Sequence, residues 1–255
     1  MSLRSLAFIG PEPLIVEDEP PGGWVPTLLA NAGTGYLTYE GSFGTWAPDA
    51  SSLDLAFLVG GLDGNPNANC YIFQNHGDRV RVRFMPDGKL HARLQDASAT
   101  PVDLVDWTSS AGVDAAGVWL FHVAAALSGT PSFTVYKIEV QETSPGVWET
   151  VGSWAAITGT FATGPVAGTI DIARNFSGPD LGIFATVGGA SIPDCDFGYL
   201  WLSSASPLAN SAFADGGLLI DPALAGTPAI LIKAPNVTDG QGTANLTFVG
   251  NGAWV

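Results

Sequence analysis

The sequence predicts an all-β protein, a sandwich or barrel of many short strands. Three observations carry this reading. Short apolar or alternating segments recur roughly every ten residues from Tyr36 onward. The 255 residues include 32 Gly and 18 Pro, so roughly one residue in five turns or interrupts the backbone. No apolar pattern of helical period runs long enough to build a substantial helix. Sandwiches of this length fold around a single core, so the predicted body is one domain with appendages.

Residues 1–33 read as an N-terminal arm. Leu6 to Ile9 is apolar, Pro11 and Pro13 follow, and the acidic run Glu17-Asp18-Glu19 precedes the break Pro20-Pro21-Gly22-Gly23. Trp24 exposes a large ring unless it docks, either on its own domain or on a neighbouring subunit. Residues 34–216 form the predicted domain. Its strands are Leu53 to Val59, Tyr71 to Gln74, Arg79 to Met85, Lys89 to Gln95, Val102 to Trp107, Val118 to Leu127, Phe133 to Val140, Val147 to Trp154, Gly168 to Ala173, Leu181 to Val187 and Asp196 to Leu202. Pro86-Asp87-Gly88 is a hairpin turn, because Pro sets φ and Gly accepts positive φ. Ser206-Pro207 predicts a short helix through Phe213, with a hydroxyl cap and Pro at the first position. Residues 217–255 read as a C-terminal β extension with strands at Ala229 to Lys233 and Asn245 to Val249.

Charge excludes several partners. Nine Lys and Arg stand against 24 Asp and Glu, giving −15 and a surface that repels phosphate backbones and anionic headgroups. Nucleic acid is not an expected partner. The longest apolar run, Val118 to Leu127, is too short to span a bilayer and contains His122, so no membrane insertion is expected. The N-terminus does not read as a secretory leader. Cys70 and Cys195 lack metal-ligand spacing and are either small core residues or one long-range disulfide.

The order of features from Ser52 to Phe213 resembles the laminin G-like, concanavalin A-like jelly roll. The residues carrying the likeness are "SLDLAFLV" from Ser52, the hairpin "RVRFMPDGKLHARL" from Arg81, "GVWLFHVAAAL" from Gly117, "FTVYKI" from Phe133 and "FGYLWLSSASPL" from Phe197. In the fourth of these Lys137 stands where the family places Asp. The C-terminal stretch "DPALAGTPAILIKAP" followed by "GQGTANLTFVGNGAW" is similar to the ends of laminin G-like proteins among tailed-phage and prophage virion genes. This likeness implies a two-sheet antiparallel jelly roll. It also implies a place on the virion exterior, as tail fibre or capsid decoration, after synthesis in the bacterial cytoplasm. The other virion proteins, and further copies of the chain, are then its expected partners.

Catalysis is not expected. Glycoside hydrolysis on this fold needs a carboxylate pair from a Glu-x-Asp-x-x-Glu strand, which is absent, and no Gly-x-Ser-x-Gly elbow or phosphate loop occurs. His122 sits among core residues and reads as structural. Calcium is the metal to consider, with hard oxygen ligands from Asp63 in one loop and Asp194 and Asp196 in another. The loop from Asp63 to Asn69 fails as an EF-hand, lacking Gly at its sixth position and placing Gln74 where Glu belongs.

Two surfaces remain. In Arg79-Val80-Arg81-Val82-Arg83-Phe84, alternation places Arg79, Arg81 and Arg83 on one face, and five of the nine basic residues fall between Arg79 and Arg93. This stripe is a solvated outer face, a contact for an acidic partner including Glu17 to Glu19, or a site for an acidic glycan. Sugar binding would use Trp46 and Trp107, read as near strand ends, with the amides of Asn65, Asn67 and Asn69, because pyranose rings stack on indole. Trp24, Trp148 and Trp254 are also read near strand ends or loops, Trp119 and Trp201 as core. The functional expectation is a non-catalytic, lectin-like virion surface protein binding host or environmental glycans. The alternatives are a structural decoration protein without a sugar ligand, with Trp24 and the arginines as partner contacts, and a hydrolase lacking the usual motif.

Overall fold

The computed structural model describes residues 24–26, 28–32, 36–40, 50–61, 69–75, 78–113, 117–171, 181–183, 194–234 and 245–249. In chain order the strands are β1 (Leu29–Ala32), β2 (Tyr36–Glu40), β3 (Ser52–Gly60), β4 (Cys70–Asn75), β5 (Val80–Phe84) and β6 (Leu90–Gln95). They continue as β7 (Asp103–Ser109), β8 (Val118–Ala126), β9 (Ser132–Ser144), β10 (Val147–Ala156), β11 (Gly159–Thr163) and β12 (Leu181–Ile183). The last are β13 (Asp194–Ser203), β14 (Ala214–Asp215), β15 (Leu218–Leu219), β16 (Ile230–Lys233) and β17 (Asn245–Val249).

These strands form two antiparallel sheets, the jelly-roll sandwich the sequence predicts. One runs β1-β13-β3-β8-β9-β10-β15-β14, with β16 also on β13; the other runs β11-β7-β6-β5-β4-β12-β2-β17. Both β16 and β17 belong to the segment read as an extension, and each joins a different sheet: Leu231 pairs with Trp201, and Thr247 with Thr38. The turn at Pro86-Asp87-Gly88 joins β5 to β6, with Gly88 at φ 75° as its turn requires.

Alternation explains which residues face inward. In β5, Val80, Val82 and Phe84 are buried while Arg81 and Arg83 are half-buried on the other face. The inward residues of both sheets make one core, in which Phe57 stacks on Phe121 and Phe84 meets Phe121 edge-on across the sandwich. β3 is buried along almost its whole length. Its apolar run matches that, because a second core covers the outer face of its sheet. Ala56, Leu58, Leu120, Tyr199 and Trp201 pack there against Phe213, Ala214 and Leu219 from the chain beyond β13.

Two local expectations are corrected, and one strand is added. Gly168 to Ala173 is not a strand: among its described residues, Ile170 makes a single bridge to Asp96, while the Gly168 and Ile170 amides bond to loop carbonyls of Leu127 and Ala50. The helix expected after Pro207 is only a 3-10 turn, Asn210–Ala212. Ala209 is extended there, and the Leu208 amide donates to the Asp54 carboxylate instead of entering a helix. β11, "GTFAT", carries no apolar alternation and the sequence does not announce it.

Candidate functional site

At one end of the β8–β9 pair polar groups stand on the inward side of the sheet. Phe133 and Val135 of β9 face the core, so Lys137 and Glu139, two and four residues beyond Val135, lie on that same side but are only half-buried. Trp119 is the first inward position of β8 and is also half-buried. The Lys137 ammonium lies 4.2 Å from the Trp119 ring centroid, a cation–π contact that steadies the indole. The indole Nε1–H is buried with no acceptor.

Close backbone approach links this pair to the acidic loop ends. Gly61 donates to the Gly117 carbonyl at 3.1 Å. A side chain begun at Gly117 would come 3.8 Å from both Glu139 Oε1 and Trp119 Nε1; one begun at Gly61 would come 3.6 Å from Asp196 Oδ2. Gly61 sits at φ 59°, which suits glycine. Gly60, at the end of β3, pairs with Asp196 near the start of β13; Asp194 to Asp196, expected from sequence to be a loop, are strand residues because they pair with β1 and β3. This end of the sheet thus joins an aromatic face, an ammonium and the Glu139 carboxylate on its inward side, a set able to stack on a sugar ring and bond its hydroxyls, while Asp196, in register with Gly60 and Val118, stands on the other face.

The second polar surface is the outer face of β4 to β7. Register sets Arg81 opposite Arg93, like charges across adjacent strands, and Arg83 opposite His91. Carboxylates answer most of them. Asp78 pairs with Arg81 and, at 3.7 Å, with Arg93; Asp103 accepts from Arg93 Nε at 2.8 Å; Asp106 Oδ1 lies 3.0 Å from His91 Nε2. Arg79 leaves the stripe, is nearly buried, and faces Asp171 at 3.9 Å. The expected bare positive stripe is therefore largely compensated. Burial pushes Asp103 up, but its bonds from Arg93 and Gln95 outweigh this and hold it below the usual carboxylate range. Burial, then the neighbouring Arg81, holds the His91 imidazole below its ordinary value against the opposing pull of Asp106. Arg83 makes no ion pair among the described residues; its Nη1 donates to the Tyr71 hydroxyl at 3.0 Å and its guanidinium lies 5.5 Å from that ring.

His122 is structural, as read from sequence, and more deeply so. Its Nε2 lies 2.6 Å from Asp54 Oδ1 and its Nδ1 2.6 Å from Asn210 Oδ1, with both His122 and Asp54 about 1% exposed. Phe213, Tyr136 and Trp154 surround the ring. No solute reaches it. The phenol of Tyr199 is pushed well above its ordinary range by burial and then by Asp54 and Asp221.

Of the residues chosen from sequence, Trp46, Asp63, Asn65 and Asn67 lie outside the described residues, as do Trp254 and Glu17 to Glu19. Asn69 is half-buried at the foot of β4, Asp196 borders the rim, and of Asp194 only the strand backbone is described, opposite Ala32. Among the described residues no three His, Cys, Asp or Glu groups converge to hold a metal ion; the calcium expectation needs Asp63. Trp107 is corrected: β7 runs on to Ser109, so its ring is not at a strand end but in the core beside Phe133, 3% exposed. Trp119, read as core, is the half-exposed indole at the rim. Trp24 docks on its own domain, edge-on to Tyr199 at 5.3 Å, with its amide bonded to Leu219 and Lys233 near its ring. Cys70 and Cys195 lie on strands of different sheets and form no disulfide.

No family model and no curated protein matches the chain. Among solved structures it is similar to domains LG4-5 of the mouse laminin alpha1 chain, with 10% identity and a TM-score of 0.35 over 96% of this chain and 52% of that one. It is also similar to the native heptameric SAP-like pentraxin from Limulus polyphemus, with 11% identity and a TM-score of 0.33 over 69% of this chain and 78% of that one. The chain spans about half the length of the laminin chain it matches.

Proposed function

We propose that this chain is a non-catalytic, lectin-like module that binds glycans at the rim formed by Trp119, Lys137 and Glu139. One observation carries the reading: a half-buried indole, steadied by an ammonium and with its N–H lacking an acceptor, sits beside the Glu139 carboxylate where the strands end. Pyranose rings need such a combination, an aromatic face for their C–H groups and charged acceptors for their hydroxyls. Calcium held by Asp63, Asp194 and Asp196 belongs to the proposal as a requirement to be tested. Display on the exterior of a tailed-phage or phage-like particle is part of it too, and rests on the likeness of the C-terminal sequence. The test is a glycan array with the full chain and with Trp119→Ala, each with calcium and with a chelator. Binding by the native chain that falls at least about tenfold in the variant supports the reading; no binding under either condition refutes it. Loss of binding in the chelator alone assigns the calcium.

A further inference from the structure

We infer that the rim takes an uncharged oligosaccharide laid as a chain across β8, β9 and β10, with at least two of its sugar rings in contact. The inference rests on the glycan reading of the same residues and adds to it the class of ligand and the direction in which it runs.

The first argument is how one row of side chains loses its cover. Residues paired across antiparallel strands share a face. Such a row runs through Val59, Trp119, Glu139 and Val151, on β3, β8, β9 and β10. Val59 is fully buried, Trp119 and Glu139 are half-buried, and Val151 is 43% exposed. Burial therefore falls strand by strand in one direction, which makes an open shelf and not a closed pocket for a single sugar. Trp119 to Val151 covers two strand spacings, about 10 Å, room for two linked pyranose rings. Gly152 follows Val151, and nothing lies within 4 Å of where its side chain would begin, so the far end lets a longer chain run on.

The second argument is the order of contacts along the shelf. Trp119 offers an indole at one end, exposed Val151 an aliphatic surface at the other, and the Glu139 carboxylate stands between them. A linked pair of pyranoses presents the matching order, C–H faces on successive rings and hydroxyls around them.

The third argument is charge, and it selects uncharged sugars. One row further out Gln141 pairs with Glu149, both exposed. Among the described residues the shelf thus carries Glu139 and Glu149 against Lys137, on a chain at −15. A uronate or sialate meets net negative charge there, whereas the hydroxyls of a neutral sugar donate to both carboxylates.

A glycan array tests this, printed with neutral glucan, mannan and galactan chains of one to four sugars, each beside its counterpart oxidised to the uronic acid. The native chain is expected to bind a neutral tetramer at least about tenfold more tightly than its monomer, and at least about tenfold more tightly than the oxidised tetramer. Val151→Gln, a change on an exposed strand surface, is expected to weaken the tetramer at least about threefold and leave the monomer unchanged, which also reports that the fold is kept. Equal binding of monomer and tetramer, a Val151→Gln chain that holds the tetramer like the native chain, or preference for the oxidised chains overturns the inference. In each of those cases binding that Trp119→Ala removes still upholds the glycan reading. Failure of every printed chain to bind overturns both.

Discussion

Removing the Asp54 carboxylate is expected to loosen the chain beyond β13 from the sheet it covers. Asp54 is about 1% exposed and accepts from three directions: His122 Nε2 at 2.6 Å, Trp201 Nε1 at 3.3 Å and the Leu208 amide at 3.3 Å. Asp54→Ala strands all three donors in a site that water does not reach. Each buried unsatisfied donor costs about 1–3 kcal/mol, and the three share one cavity, so the costs do not simply add. A net loss of about 3–5 kcal/mol follows, the size expected when one member of a buried pair is removed. In a domain of this length that lowers Tm by roughly 6–20 °C. Asp54→Asn keeps one acceptor oxygen and the side-chain shape, so it should lose less. The assay is urea unfolding followed by tryptophan fluorescence, since Trp154 and Trp201 both pack in the affected outer core. Limited proteolysis then tests whether residues 204–226 become the first site of cleavage. A loss below about 1 kcal/mol for Asp54→Ala, or equal losses for both variants, would refute the claim that this network holds the segment down.

Two other outcomes follow from the same packing. Gly159→Ala would set a methyl 2.2 Å from Trp107 Nε1, with the ring buried in the core, so β11 or the indole must move. A loss of about 1–3 kcal/mol is expected in a chemical denaturation curve, and an unchanged midpoint would contradict the Trp107 placement. Because burial and Arg81 hold the folded His91 below its ordinary 6.5, the unfolded chain takes up this proton first as pH falls. His91 therefore costs stability as pH drops through about 6.5, and His91→Gln should flatten the change in urea midpoint between about pH 7.5 and pH 5.5.

The strand plan was legible because alternation and turn chemistry are local. "VRVRF" declares one buried and one polar face whatever it packs against, and Pro86-Asp87-Gly88 turns the chain by its own φ preferences. The site was legible only in part. Reading Asp194 to Asp196 as a loop missed that these residues begin β13 and pair with β1 and with the end of β3. The indole at that rim was misassigned. Trp107 and Trp119 both sit inward on alternating strands, and nothing local says that β7 continues past one while the sandwich ends at the other. The hint available was Lys137 and Glu139 falling in phase with Phe133 and Val135, since charge at core-phase positions marks where a core stops.

The arginine stripe shows the same division. The sequence by itself determined that five of nine cations cluster in one hairpin of a chain at −15, and strand period assigned Arg79, Arg81 and Arg83 to one face, of which Arg81 and Arg83 stay there. Only the tertiary structure decided what those charges meet. Asp103 and Asp106 arrive from β7, Asp171 comes from 92 residues beyond Arg79, and Arg83 is left with a tyrosine. Side-chain period is a property of a strand alone, whereas an ion pair depends on which strand lies next door. That neighbour is chosen by burying apolar faces of the whole sandwich.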